Sequence, residues 1–261
     1  MPVLSPGNGS PLFTVPALCE NAAAMLRFSI LIPARNEENY LPGCLGSIKA
    51  AAEPFPAQVE IIVALNRCTD RTEQIALEYG AKVVYEDGRN LAKIRNVAAK
   101  AAIGDIIVTI DADSRMTANM LMEIDRLLRT GKYVGGGVMV LPERWSFGIV
   151  ATGIILSAVM LRHRVSGGLF WCLREDFETI GGFNENWVSV EDLDFAKRLK
   201  AHGKGKGKRF KTITKAHIIS SCRKFDTFGD WYLVRNPGLV WRIFSGKSQE
   251  DANNFYYDVE R

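Results

Sequence analysis

The sequence is short of several things. Its five cysteines, Cys19, Cys44, Cys68, Cys172 and Cys222, are scattered, odd in number and without a C-x-x-C pair. That excludes a disulfide framework and a zinc ribbon, and reads as reduced thiols in a cytoplasmic protein. Histidine is scarcer, with three in 261 residues. The net charge is only +4. A dedicated nucleic-acid binder usually carries a stronger basic excess, so none is expected as a partner. An anionic small molecule or a membrane surface stays compatible with this charge. Residues 1–26 lack the basic stretch and following apolar run of a signal peptide, and read as a flexible N-terminal arm. No internal repeat or obvious linker interrupts the rest.

Long apolar runs are also missing, with one exception. "FGIVATGIILSAVML", Phe147 to Leu161, has 15 residues, whereas a spanning helix needs roughly 20. Two readings stay open. One is a buried helix of the core. The other is a helix at a membrane face, flanked by Arg144, Trp145, Arg162, His163 and Arg164. The second would put a cytoplasmic protein peripherally on the inner membrane face.

What the sequence does have is ordinary globular composition, 47% hydrophobic and 24% charged, enough for a sizeable core. "RFSILIP" (27–33), "VEIIVAL" (59–65), "KVVYE" (82–86) and "DIIVTI" (105–110) read as strands. Between them, 36–52, 68–80 and 90–104 read as helices. Leu41, Leu45 and Ile48 set the spacing of the first, Thr69 or Asp70 caps the second, and Gly104 closes the third. Strands buried on both faces and alternating with helices predict an α/β domain with a mostly parallel sheet.

The fourth strand runs into "IDADS", with Asp111 and Asp113 two residues apart. Ligands of open α/β sheets bind beyond the carboxyl ends of the strands, and alternate residues of an extended segment point the same way. Two adjacent carboxylates repel unless a cation intervenes. Oxygen-only ligands suit Mg²⁺ or Mn²⁺, which also bind substrate phosphates. The plainer reading is a polar turn, with one aspartate capping a helix that starts near Thr117.

Other segments point to the same sheet edge: "PARNEE" after the first strand, "NRCTDRT" after the second and "GRNLAKIRN" before the fourth. Their order, followed by "IDADS", "GGF" and "SVEDLDFAKRLKAHG", resembles the family 2 glycosyltransferases of the GT-A fold from roughly Phe28 to Ser221. The resemblance implies a Rossmann-like, mostly parallel central sheet flanked by helices, with a smaller acceptor-side region. It implies a glycosyltransferase domain over 27–225, with a nucleotide-binding half (27–115) and an acceptor half (116–225), and a C-terminal extension (226–261) packed on the domain or at an interface. It also implies a transferase that moves a sugar from a nucleotide-sugar to an acceptor hydroxyl with inversion, using Mn²⁺ or Mg²⁺. A homodimer is compatible with it.

By position, the resemblance also implies the following roles. Pro33, Ala34, Arg35, Asn36 and Glu37 line the nucleoside pocket, with Asn66, Arg67 and Asp70 after the second strand. Arg95 and Asn96 sit near the nucleotide, with Asp111 and Ala112. Asp111 and Asp113 bind the metal, with His217 as a third ligand. Asp192 is the general base, with Glu191 second. Gly168, Trp171 and Trp187 form an acceptor-side platform. Where many members carry two acids after the second strand, this chain has Leu65 and Asn66, so a uridine donor does not follow.

Plainer readings stand beside several of these. Ser189 and Asp192 fit a helix-start capping box. Trp171 fits a core position, and His217 an ordinary hydrogen-bonded residue. The Gly–Lys stretch from Gly203 to Lys211 reads as a solvated loop or as a mobile basic flap. Arg223 and Lys224 would meet phosphate if their segment returns to the site. Two other functions remain open: a non-catalytic nucleotide-sugar-binding protein and a sugar nucleotidyltransferase. The second lacks the expected Gly-rich phosphate loop near the N-terminus.

Overall fold

The computed structural model describes residues 27–55, 58–187 and 190–238. Its first half alternates strand and helix: β1 (Phe28–Ala34), α1 (Leu41–Ala52), β2 (Val59–Leu65), α2 (Thr72–Glu78), β3 (Lys82–Tyr85), α3 (Leu91–Lys100) and β4 (Ile106–Ile110). The second half is more varied. It comprises β5 (Ser114–Met116), α4 (Met120–Arg129), β6 (Tyr133–Pro142), α5 (Phe147–His163), β7 (Leu169–Leu173), α6 (Arg174–Thr179), α7 (Glu191–Gly205), β8 (Arg209–Ser220), α8 (Arg223–Phe228) and α9 (Tyr232–Arg235).

The strands form one sheet in the order β3-β2-β1-β4-β7-β6-β8-β5. The run from β3 to β4 is parallel. Beyond β4 the sheet turns mixed: β7 is antiparallel to β4 and β6, β6 is parallel to β8, and β5 is antiparallel to β8.

Strand alternation divides the core between the two faces. Phe28, Ile30 and Ile32 of β1 and Ile106, Val108 and Ile110 of β4 pack with Leu41, Leu45 and Ile48 of α1 and with Met120 and Ile124 of α4. Leu31 and Ile107 point the other way, toward Ala92 and Ala98 of α3 and Leu193, Phe195 and Leu199 of α7. On that second face Phe170, Phe177, Phe183 and Phe195 form an aromatic cluster, with Phe183 and Phe195 stacked at 4.3 Å.

Several expectations change. Helix α1 starts only at Leu41, with proline in its first turn, where the missing N–H has no intrahelical partner to lose. The helix expected near Thr117 starts at Met120. It is preceded by strand β5, so neither Asp111 nor Asp113 caps it. The Gly–Lys alternation is neither loop nor flap throughout, because α7 runs through it to Gly205. A Cβ at Gly203 would lie 2.5 Å from Val134. Lys206 is tied to the buried Asp176 at 2.7 Å.

The core reading of 147–161 is overturned. Only Gly148, Ile149 and Thr152 of α5 are buried, and the outer side of the helix is apolar and open.

Candidate active site

The carboxyl ends of β1 and β2 carry loops that are knitted together. Asn36 and Arg67 both take left-handed backbone conformations, at φ 51° and 50°. Asn36 Oδ1 accepts from Thr69 N at 2.9 Å. Glu37 N donates to Thr72 Oγ1 at 2.7 Å, and Glu38 N donates to Asp70 Oδ2 at 3.0 Å. Asp70 Oδ1 also accepts from Thr72 N at 3.0 Å. Burial works against its charge, but the hydrogen bonds from Thr72 and Glu38 outweigh it and hold the Asp70 carboxyl below its ordinary range. Asp70 is therefore a loop brace. Asn66 is buried, and its amide donates to Glu86 O and Gly88 O, the latter at 2.9 Å. It fixes the loop after β3.

The centre of the site is Arg95, on α3 beneath the sheet edge. Its side chain is 4% exposed and bridges three carboxylates. Nη2 lies 2.8 Å from Asp111 Oδ1, while Nη1 lies 2.6 Å from Asp192 Oδ1 and 3.4 Å from Glu191 Oε1. The guanidinium also stacks over Phe183, 5.1 Å from the ring centroid. The planar fork of arginine suits this bridging, which one ammonium could not reproduce. Thus the end of β4 is joined to the start of α7 through a single side chain.

A second bridge lies on the other side. Arg223, at the start of α8, binds Glu37 with both terminal nitrogens at 2.8 and 2.9 Å. Its Nη2 is also 2.9 Å from Asp113 Oδ2, which accepts from Ser221 Oγ at 3.0 Å. Tyr40 covers this guanidinium at 5.2 Å. Segment 220–224 therefore does return to the site, where Arg223 meets carboxylates. Ser221 was not expected there. Its only sequence signal is its place two residues before Arg223.

The sequence-predicted residues divide accordingly. Asp111, Asp113, Glu37, Arg95, Glu191 and Asp192 come together. Pro33, Ala34 and Ala112 are buried around the strand ends, and Arg35 follows β1 in a half-buried position. Asn96 is drawn away from a nucleotide, since its amide exchanges bonds with Phe183 at 2.8 and 2.9 Å and donates to Glu185. It pins the Gly181–Gly182–Phe183 turn, where Gly182 has φ 62° and an added Cβ would lie 2.6 Å from Asn96 Oδ1.

Trp171 is no platform. It is fully buried in β7 and donates from Nε1 to Gly137 O at 3.3 Å. Gly168, at φ 83°, is approached by Val140, 2.5 Å from where a Cβ would sit, rather than by a ligand. Trp187 is half-buried, and its backbone N–H donates to Asn184 O at 3.2 Å. Ser189, the capping partner proposed for Asp192, lies outside the described residues.

His217 is also displaced. Ser114 faces Ser220 across the β5–β8 ladder, Thr117 N donates to His217 O, and Ser221 N donates to Asp113 O. His217 is then four residues, about 13 Å, along the strand from the position beside Asp113. It cannot share an ion with that carboxylate. No cluster of three or more His, Cys, Asp or Glu side chains suited to a metal occurs among the described residues. The oxygen donors of Asp111 and Asp113 nonetheless suit a hard divalent cation. Asp111 is 42% exposed.

Electrostatics separates the two acids at the start of α7. Burial, and then the neighbouring Asp192 charge, push Glu191 up to about 8, against the opposing pull of Arg95. Asp192 is raised as well, by burial first, while Arg95 pulls it down. Its side chain is 33% exposed, so its desolvation is partial. Both carboxyls are therefore held above their ordinary range, with Glu191 the more fully buried of the two.

A stability test follows. Because the folded-state value of Glu191 lies above the unfolded one, its contribution is full below the ordinary carboxylate range and is lost as pH rises toward 8. The slope is about 1.4 kcal/mol per pH unit. Glu191→Gln removes this dependence. Its stability relative to wild type should rise from pH 5 to 8 and then level off in urea titrations. A difference that stays flat with pH would contradict a buried, protonated Glu191.

Residues 29–153 match the model of Glycosyl transferase family 2. Over that segment the chain is similar to the family 2 glycosyl transferases. A TPR repeat-containing protein of Synechococcus elongatus is 36% identical over 103 residues, 39% of this chain and 24% of that protein. The low-salt glycan biosynthesis hexosyltransferase Agl6 of Haloferax volcanii is 34% identical over 103 residues, 40% of this chain and 25% of its own length. This chain thus spans about a quarter of the length of these curated relatives.

Among solved structures, Staphylococcus aureus TarS 1-349 in complex with UDP superposes with a TM-score of 0.60 at 18% identity, covering 88% of this chain and 69% of that one. Glucosyl-3-phosphoglycerate synthase from Mycobacterium tuberculosis, in complex with Mn²⁺, UDP and phosphoglyceric acid, gives 0.57 at 19%, covering 86% and 80%. The fold is that of the GT-A glycosyltransferases.

Proposed function

We propose that the chain is a metal-dependent, inverting glycosyltransferase that moves a sugar from a nucleotide-sugar to an acceptor hydroxyl. The observation that carries this reading is the Arg95 bridge, which joins Asp111 beyond the end of β4 to Asp192 at the start of α7. A diphosphate donor and an acceptor would meet between them. Residues 27–115 form the nucleotide half and 116–225 the acceptor half.

Five carboxyl groups, Glu37, Asp111, Asp113, Glu191 and Asp192, face two guanidinium groups, Arg95 and Arg223. An anionic donor would be repelled by that excess of negative charge. Mn²⁺ or Mg²⁺ held by Asp111 and Asp113 would remove the repulsion and neutralise charge developing on the departing diphosphate. Arg223 is placed to pass from Asp113 to a donor phosphate. Asp192 accepts the acceptor's proton as its oxygen attacks the anomeric carbon from the face opposite the leaving group, which inverts that centre. Arg95 orients Asp192 and opposes the upward push of burial on its carboxyl, and Trp187 would offer a sugar-stacking face. Asn66 is engaged with the β3 loop, so the base contact falls to Arg35, Asn36 and Arg67. The M. tuberculosis neighbour, which shares the fold, was solved with Mn²⁺ and UDP.

The test is titration calorimetry with uridine, guanosine and adenosine diphosphate sugars, with and without Mn²⁺, on wild type and on Asp111→Asn. One nucleotide class should bind in a metal-dependent manner, with at least about tenfold weaker binding in the variant, the equivalent of one lost charged contact. Binding of none of the three in either condition would reject the reading.

A further inference from the structure

We infer that α5 docks the protein peripherally on an anionic lipid surface. The helix repeats Phe147, Val150, Ile154, Ala158 and Leu161 at intervals of three and four, which places them in one stripe. That stripe faces away from the body. Phe147 is 88% exposed, Ile154 65% and Leu161 75%. The opposite side is held by buried Ile149 and Thr152 and by Met160, which packs on the second core cluster. The first turn is fixed closely, since a Cβ at Gly148 would lie 2.6 Å from Asp230 O. The helix therefore lies along the surface. No helix among the described residues is long and apolar enough to cross a membrane.

The charge around the stripe selects the partner. From Trp145 to Arg174 the chain contains no aspartate or glutamate. The carboxyl end of α5 carries exposed Arg162 and Arg164, with Lys197 and Lys200 of α7 beside it. Lys200 Nζ lies 2.8 Å from His163 O. Burial, then Lys197, Arg162 and Lys200, hold the His163 imidazole below its ordinary range, so this end of the helix sits in a positive field. Trp145 and Trp231 are also exposed, at 65% and 43%. An apolar stripe with four cations at its carboxyl end, and with indoles beside an Arg144–Asp226–Asp230 ion-paired cluster at its amino end, matches the acyl–headgroup boundary of an anionic bilayer. A protein partner would need a counter-charge to four cations as well as an apolar groove. The lipid surface supplies both at once. The inference is independent of the catalytic reading.

Flotation of the full chain with phosphatidylcholine vesicles, with and without phosphatidylglycerol, tests it. Wild type should float with the anionic vesicles only, and less so as salt is raised. Ile154→Glu with Leu161→Glu should reduce the floated fraction at least about tenfold. Arg162→Glu with Arg164→Glu should abolish the preference for phosphatidylglycerol. Both pairs are exposed, and an unchanged thermal midpoint would separate lost docking from lost folding. Wild type remaining at the bottom with both vesicles overturns the inference. So does a wild-type dimer in sedimentation that Ile154→Glu dissociates, since a second copy would then own the face. Flotation only after removal of residues 239–261 would assign the face to the chain's own C-terminal segment, and equally overturn it.

Discussion

Asp192→Asn is expected to lower sugar transfer by about 10²–10⁴-fold and to leave nucleotide-sugar binding nearly intact. The substitution is sparing in structural terms. The bond that holds Asp192 runs from Arg95 Nη1 to Oδ1 at 2.6 Å, and an asparagine oxygen can accept the same bond. What asparagine cannot do is take a proton from an acceptor hydroxyl. The loss should therefore appear in kcat, with donor affinity measured separately by calorimetry. Glu191 cannot substitute, because it is the more fully buried of the two carboxyls. The wild-type rate should rise with pH above the ordinary carboxylate range, since Asp192 must lose its proton to act and burial raises that requirement. Unchanged turnover in the variant would remove Asp192 from the reaction. A parallel collapse of donor binding would make it a binding residue instead.

How much of this was legible in the sequence depends on what each residue type can signal. The buried strands were readable because Phe28–Ala34, Val59–Leu65 and Ile106–Ile110 are almost wholly apolar, and few structures other than a two-faced sheet accept such runs. The Asp111–Asp113 pair and the Glu191–Asp192 pair were readable because local spacing placed each at the end of an element.

Their union was not readable. It depends on Arg95 reaching residues 16 and 97 positions away, which no local spacing encodes. Trp171 and His217 failed for a related reason. Strand alternation decides which face a side chain takes, and register decides how far along the sheet it lies. The 10-residue β6 and 12-residue β8 that set both are joined by distant pairing. The apolar run 147–161 is legible as a helix, but its environment is a tertiary property, and hydrophobicity alone leaves a core position and a membrane face both open.

Arg95→Met is expected to have the other large effect, on stability as well as activity. Methionine matches the length of the apolar stem but leaves Asp111, Glu191 and Asp192 without their common counter-charge. Removing one partner of a buried ionic group typically costs about 3–5 kcal/mol, and here one cation serves three acids. Transfer should fall at least as far as in Asp192→Asn, because the base loses both its orientation and the charge that opposes the upward push of burial on its carboxyl. Arg95→Lys should recover part of the stability and little of the activity, since one ammonium cannot span Asp111 and Asp192 together. The pH dependence identifies the cause. Arg95 pulls Glu191 and Asp192 down, so without it both protonate more readily. The stability deficit should then be largest at alkaline pH and shrink as pH falls through the raised values, where the carboxyls become neutral. Urea titrations from pH 5 to 9 would read this directly. A deficit that does not change with pH would mean that Arg95 stabilises by its stacking on Phe183 rather than by its charge, and the electrostatic link between the strand end and the base would be lost.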